Sequence, residues 1–173
     1  MSVANIICDA SVLQPGREAW GWACAIITDR TRHYTSGQGR VPVASSNDAE
    51  FFAITNSLDF AFRRGMIAPN EVVLIQSDSL HAAGVFNYHF RSRHYRGAPV
   101  GRTCPTVSPA QAQAIVHLTG LLSRHPYRSI YVRHVKAHLA FANRAARNHV
   151  HERVDELAGI AARKAYGALA HVR

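Results

Sequence analysis

The chain has 173 residues, 47% of them hydrophobic, enough for one sizeable core and too apolar for general disorder. It carries 20 Lys and Arg against 11 Asp and Glu, a formal net charge of +9, which favours a polyanionic partner, with nucleic acid the commonest. No apolar stretch is long enough to span a bilayer, the first residues lack a basic region followed by an apolar core, and the three cysteines lack metal-ligand spacing; the expectation is a cytoplasmic protein, with no membrane partner and with free thiols in a reducing compartment.

Val3 to Cys8 is an apolar run rich in β-branched residues and reads as a buried strand that ends in Asp9. A carboxylate there sits on a rigid platform and leaves water only at a cost unless a metal or a cation meets it. Ala10-Ser11 follows, then the turn cluster Gln14-Pro15-Gly16-Arg17. Trp20 to Thr28 reads as a second strand, Asp29-Arg30 as a tight turn, and Thr31 to Ser36 as a third strand by alternation. The first three strands are therefore expected to be antiparallel neighbours. Asn47 with Glu50 three residues on reads as a capping box. It opens a helix with the stripe Phe51, Ile54, Leu58, Ala61 and Phe62, closed by Gly65. Taken locally, Glu50 is a capping carboxylate; only partnership with other acids gives it another role.

Pro69-Asn70 is a turn, and Glu71 to Ser77 reads as a strand buried on both faces, with Asp78 directly after it. Ser79 to Tyr88 is a short helix, for which Asp78 could equally be a plain N-cap. A basic protrusion at about 89–107 contains Arg91, Arg93, Arg96 and Arg102 interleaved with aromatic residues, and His89 to Arg102 contains no acid. That mixture suits phosphate contact and stacking on bases or sugars. Ser108, Pro109 and Gln111 mark a strong helix start, with Ile115, Leu118, Leu121 and Leu122 as its buried face and an end near His125-Pro126. Ser129 to Val135 alternates as a strand, and a polar loop from Lys136 runs to about Asn148. A last helix follows from about His149, with Val150, Val154, Leu157, Ala158 and Ala161 on its apolar side. Asp155 lies beside that stripe, and His151 one turn before it.

Asp9, Glu50, Asp78 and Asp155 thus stand at a strand end, a helix start, a second strand end and in the final helix. We read them as converging on divalent metal ions. A zinc set of His134, His138, His149 and His151 is the competing arrangement, and it leaves the four acids unexplained.

The order of elements, with its motifs, resembles the ribonuclease H family, type I, across nearly the whole chain. The matching stretches are Asp9-Ala10-Ser11 (the family favours D-G-S), Ser45 to Glu50 (T-N-N-x-x-E), Ser77-Asp78-Ser79 (T-D-S), Val135 to His138 (V-K-G-H) and Val154 to Ala158 (C-D-E-L-A). The resemblance implies a single α/β domain over residues 1–173 with a ribonuclease H-like, five-stranded mixed sheet flanked by helices. It implies a metal-dependent endonuclease that hydrolyses the RNA strand of RNA·DNA hybrids with two Mg²⁺ ions, Mn²⁺ being a possible substitute; a monomer is the expectation for the chain. Asp9 would bridge both ions, Asp155 would serve the attacking-water side, and Glu50 and Asp78 the leaving-group side. His138 would assist proton transfer or product departure. Ser11, Ser46 and Asn47 would contact nucleic acid, together with the four arginines of the protrusion.

Departures from the family pattern are His151 where Asn is usual, Leu80 where Gln is frequent, and a longer separation of His138 from Asp155. His149 or His151 could therefore stand in for His138. Two rivals use the same fold: a junction-resolving or other DNA nuclease, and a binding module that holds nucleic acid without cutting it. Clustered carboxylates repel one another without metal, which argues against the second.

Overall fold

The structure is a computed structural model and describes residues 2–13, 18–39, 41–90, 103, 105–135 and 146–170. The sheet is built outward from β1 (Val3–Val12), in which Ala4, Ile6 and Cys8 are buried on one face and Ile7 on the other. A strand apolar on both sides belongs at the centre of a sheet. β2 (Trp20–Ile27) pairs antiparallel with it, and β3 (Arg32–Gln38) pairs antiparallel with β2. The hairpin between them turns on Thr28, whose Oγ1 accepts from the backbone N–H groups of Arg30 and Thr31, both at 3.2 Å. On the other side of β1, β4 (Val72–Ser77) and β5 (Ser129–His134) run parallel, giving the order β3-β2-β1-β4-β5. This is the expected five-stranded mixed sheet with its first three strands antiparallel.

One expectation fails in an informative way. β1 does not end at Cys8 but continues through Val12, so Asp9 lies inside the strand. The reason is that its two ladders have different lengths. The parallel ladder to β4 stops at Ile7, opposite Gln76, whereas the antiparallel ladder to β2 runs on to Val12, opposite Trp20. The sheet therefore has a step, and Asp9 stands just beyond it on the longer side.

The helices are α1 (Ser46–Arg63), α2 (Leu80–Phe90), α3 (Pro109–Arg124) and α4 (Ala146–Ala170). α1, α2 and α3 close the larger core against one face of the sheet, and α4 covers the other face over Ile7, Ala23 and Ala25. α4 starts earlier than its apolar stripe predicts, at Ala146. The predicted cap of α1 is also corrected: Ser45, not Asn47, is the N-cap, and its capping-box partner is Asp48, not Glu50. Ser45 to Asp48 fits the capping pattern as well as Asn47 to Glu50 does, and Asp48 reaches two backbone donors, Ala44 and Ser45, at 3.1 Å each.

Ser108 caps α3 as expected, with Gln111 as its partner. The two boxes interlock: Ser108 Oγ donates to Asp48 Oδ1 at 2.7 Å, and Gln111 Nε2 donates to the Asn47 carbonyl at 3.3 Å. Beside β5, the Asn87 side chain of α2 pairs with the Val132 backbone, donating to its carbonyl at 2.7 Å and accepting from its N–H at 2.8 Å. Cys8 and Cys24 are buried free thiols as expected, and burial pushes both pKa values up. No helix among the described residues is long and apolar enough to cross a membrane.

Candidate active site

The step in the sheet brings acids together. Asp9 stands past the end of the β4 ladder, and Asp78 directly follows β4, so neighbouring strands carry their acids at the same step. Glu50 enters from the first turns of α1. One carboxylate oxygen from each of Asp9, Glu50 and Asp78 lies within 4.8 Å of the others, close enough to hold a metal ion together. The backbone N–H of Ala10 donates to both Asp9 Oδ1, at 2.8 Å, and Glu50 Oε1, at 3.3 Å. Glu50 Oε2 is buried with no hydrogen-bond partner. A buried carboxylate oxygen left without a donor is costly, and an all-oxygen donor set with such an orphan fits a hard divalent cation.

The corrected caps explain why these acids are available. Asp48 does the capping that would otherwise occupy Glu50. At α2, Ser79 Oγ accepts from the Ala82 N–H at 3.1 Å and so takes the N-cap role open to Asp78. The same hydroxyl donates to Asn47 Oδ1 at 3.4 Å, tying the start of α1 to the turn after β4. Asp48 and Ser79 are the positioning residues that motif spacing passed over. Their local signals, Ser-x-x-Asp and a serine one residue before a helix, are weaker than the family motifs beside them.

Asp155 is exposed on α4 and is not part of the close trio. Its charge nevertheless helps to raise the pKa of Asp9, so it lies within electrostatic reach of the trio. Ser11, on β1, is partly buried, and Ser46 and Asn47 are exposed at the start of α1. His138, Arg91, Arg93, Arg96 and Arg102 lie outside the described residues. Of the proposed zinc set, His138 does too, His134 is exposed on β5, and His149 pairs with Glu152 at 3.6 Å.

The electrostatics are those of acids crowded together in a buried setting. Burial, then the charge of Asp78, raises the Asp9 carboxyl from 3.8 to about 7. Burial, then Asp9 and Asp78, holds Glu50 well above its ordinary value. The metal-free folded protein thus keeps a proton on Asp9 in a pH range where the unfolded chain has released it. That carboxyl favours the fold fully below about pH 4, and the contribution is lost as pH rises through about 7. With EDTA present, the melting temperature is expected to fall over this window, and Asp9→Asn should flatten the fall. Added Mg²⁺ at about pH 7.5 should raise the wild-type melting temperature by binding the folded state alone. A melting temperature that rises with pH in EDTA and ignores Mg²⁺ would contradict this electrostatic account.

A family model for RNase H matches residues 2–163. Curated proteins include no match to this sequence. Among solved structures, RNase H1 from the halophilic archaeon Halobacterium salinarum NRC-1 has a TM-score of 0.57 at 16% identity, covering 91% of this chain and 96% of its own. The LC11-RNase H1 in complex with RNA/DNA hybrid has a TM-score of 0.61 at 16% identity, covering 94% and 99%. The PFV RNase H domain has a TM-score of 0.57 at 18% identity, covering 93% and 94%. At such identities the structural likeness speaks for the fold, and the family model speaks for the sequence. Since that model spans nearly all of the chain, the chain belongs to the RNase H family and is a ribonuclease H.

Proposed function

We propose that this protein hydrolyses the RNA strand of RNA·DNA hybrids as a two-metal-ion endonuclease, acting as a monomer through one domain over residues 1–173 in the cytoplasm. The observation that carries the reading is the close trio of Asp9, Glu50 and Asp78 with the orphaned Glu50 oxygen among them. The positive balance of the chain and the hybrid bound by the LC11 relative support the choice of substrate. Two magnesium ions, when bound, supply water activation and charge stabilisation at the phosphate and at the departing oxygen. Asp9 would be the ligand shared by both ions, a reading supported by its closeness to Glu50 and Asp78. Glu50 and Asp78 serve the leaving-group side, and the exposed Asp155 serves the side of the attacking water. His138 assists proton transfer or product departure. Ser11, Ser46 and Asn47 contact the hybrid near the acids, Asn47 being oriented by Ser79. The test is a panel of labelled RNA·DNA, RNA·RNA, DNA·DNA and four-way junction substrates, each with Mg²⁺ or with EDTA. Cutting confined to the RNA of the hybrid, and only with metal, is the expected result. Cutting of the junction instead would replace this reading with the DNA-nuclease one.

Arg91, Arg93, Arg96 and Arg102 are proposed phosphate contacts, so their loss should act on affinity rather than on chemistry. Each lost contact should lower the slope of log K against log salt by about 0.9 for B-form duplex. Changing all four to Ala should flatten the salt dependence by a few units, raise KM and leave kcat nearly intact. Binding measured in Ca²⁺ at several salt concentrations reads this directly. Equal slopes for wild type and variant would remove the segment from the binding surface.

A further inference from the structure

A cleft of about 980 Å³ lies between α1, the β2–β3 hairpin and α4, apart from the carboxylate trio. Its wall on α1 presents Phe52, Asn56, Asp59, Phe60 and Arg63 at successive helical turns. From Phe52 to Arg63 the helix rises about 16 Å, the length of about five stacked nucleotides at about 3.4 Å each. Trp22 closes the end near the acids, since it pairs across the sheet with Ala10, the residue after Asp9. The backbone of β3 lies flat against this ring: a Cβ added at Gly37 would come within 2.8 Å of the Trp22 indole nitrogen. Trp22, Phe52 and Phe60 are each partly buried, so their rings are held in place while part of each meets solvent.

The charges match a polyanion. Arg63 is neutralised by Asp59 at 2.9 Å. Arg64 lies over the Phe60 ring, 5.6 Å from its centroid. Lys164 approaches from α4. Among the described residues neither Arg64 nor Lys164 pairs with a carboxylate, so two cations remain uncompensated beside three aromatic rings. Rings that hold bases and cations that track phosphates are the elements of a single-strand platform. We propose that this cleft binds single-stranded nucleic acid, with bases against Trp22 and Phe52 and phosphates near Lys164 and near Arg64, which Phe60 holds in place. A single strand suits it better than a duplex because the rings lie in a cleft, where only unpaired bases can turn their faces inward. The inference does not rest on the hydrolytic reading, since it requires neither metal nor the carboxylates.

The molecule supplies its own probe. The chain contains two tryptophans, and both Trp20 and Trp22 line this cleft. Tryptophan fluorescence should therefore be quenched in EDTA by oligothymidylate or oligouridylate of about five nucleotides. The two arms show whether DNA or RNA is preferred. The double variant Arg64→Glu, Lys164→Glu, with both changes at the surface, should weaken the quenching titration at least about tenfold. Its turnover on a blunt hybrid should be unchanged, and Asp9→Asn should leave the titration unchanged. Absence of quenching by both oligonucleotides overturns the proposal. So does an equal response to oligoglutamate, which has charge but no bases, or an undiminished titration in the double variant.

Discussion

Asp9→Asn is expected to abolish Mg²⁺-dependent cleavage of the hybrid while leaving hybrid binding measurable. Removal of one preorganised donor from an oxyanion site costs about 10²–10³-fold in other enzymes. On the proposed two-metal reading Asp9 is shared by both cations, and its loss should cost more, because each ion would then be held by fewer fixed oxygens. Asp78→Asn should follow the same course, since its carboxylate completes the trio. The stability readout runs the other way. Asp9 is disfavoured as an anion by burial and by Asp78, so the neutral amide removes a repulsion from the metal-free protein. The variant should melt no lower than wild type in EDTA at about pH 7.5, and it should lose most of the Mg²⁺-induced gain in melting temperature. Near-wild-type cleavage by either variant would sink the metal assignment. Lost activity with a collapsed melting temperature would instead make the residue structural.

The sequence made some of this legible and not the rest, for physical reasons. The start of α3 could be read because Ser108, Pro109 and Gln111 lie within four positions and their hydrogen bonds close within the same turn. The start of α1 could not, because two overlapping capping patterns compete there. The choice between them is made by Ser108, sixty residues away, which donates to Asp48. The identity of the acids was readable, yet the placement of Asp9 inside β1 was not. Strand length depends on the partners' ladders, and only the folded sheet shows β4 stopping while β2 continues. The aromatic cleft has no local signature at all, since its walls come from residues 20–164.

Gly21→Val is expected to be the most damaging change away from the carboxylates. Gly21 on β2 is where α4 touches the sheet. A Cβ there would lie 2.4 Å from the Ala162 backbone nitrogen, 2.6 Å from the Ala158 carbonyl oxygen and 2.6 Å from the Ala161 Cβ. Two of these three neighbours are backbone atoms of a long helix, which cannot rotate out of the way. The helix must move as a body, and overpacking of this kind costs about 1–3 kcal/mol or more. In a domain of this size each kcal/mol lowers the melting temperature by about 2–4 °C. Because α4 carries Asp155, the surviving folded protein should also need more Mg²⁺ for half-maximal cleavage. Gly167→Ala is the control on the same helix: nothing lies within 4 Å of a Cβ there. It should stabilise by up to about 1 kcal/mol through helix propensity alone. Equal melting temperatures for Gly21→Val and wild type would mean that α4 does not press on β2 as described.

The contact between Asn87 and Val132 bears on what the β5 side of the sheet offers to another strand. A sheet open at both sides offers its outermost backbone groups as a template for a strand from another chain. At β5 the Asn87 amide presents the same donor and acceptor that a neighbouring peptide group would, and both are already satisfied. A second sheet approaching that side finds the middle of the strand capped, and must displace two short hydrogen bonds before it can extend the ladder. One side chain of α2 thus works as a molecular end-stop for the middle of β5, on that side of the sheet.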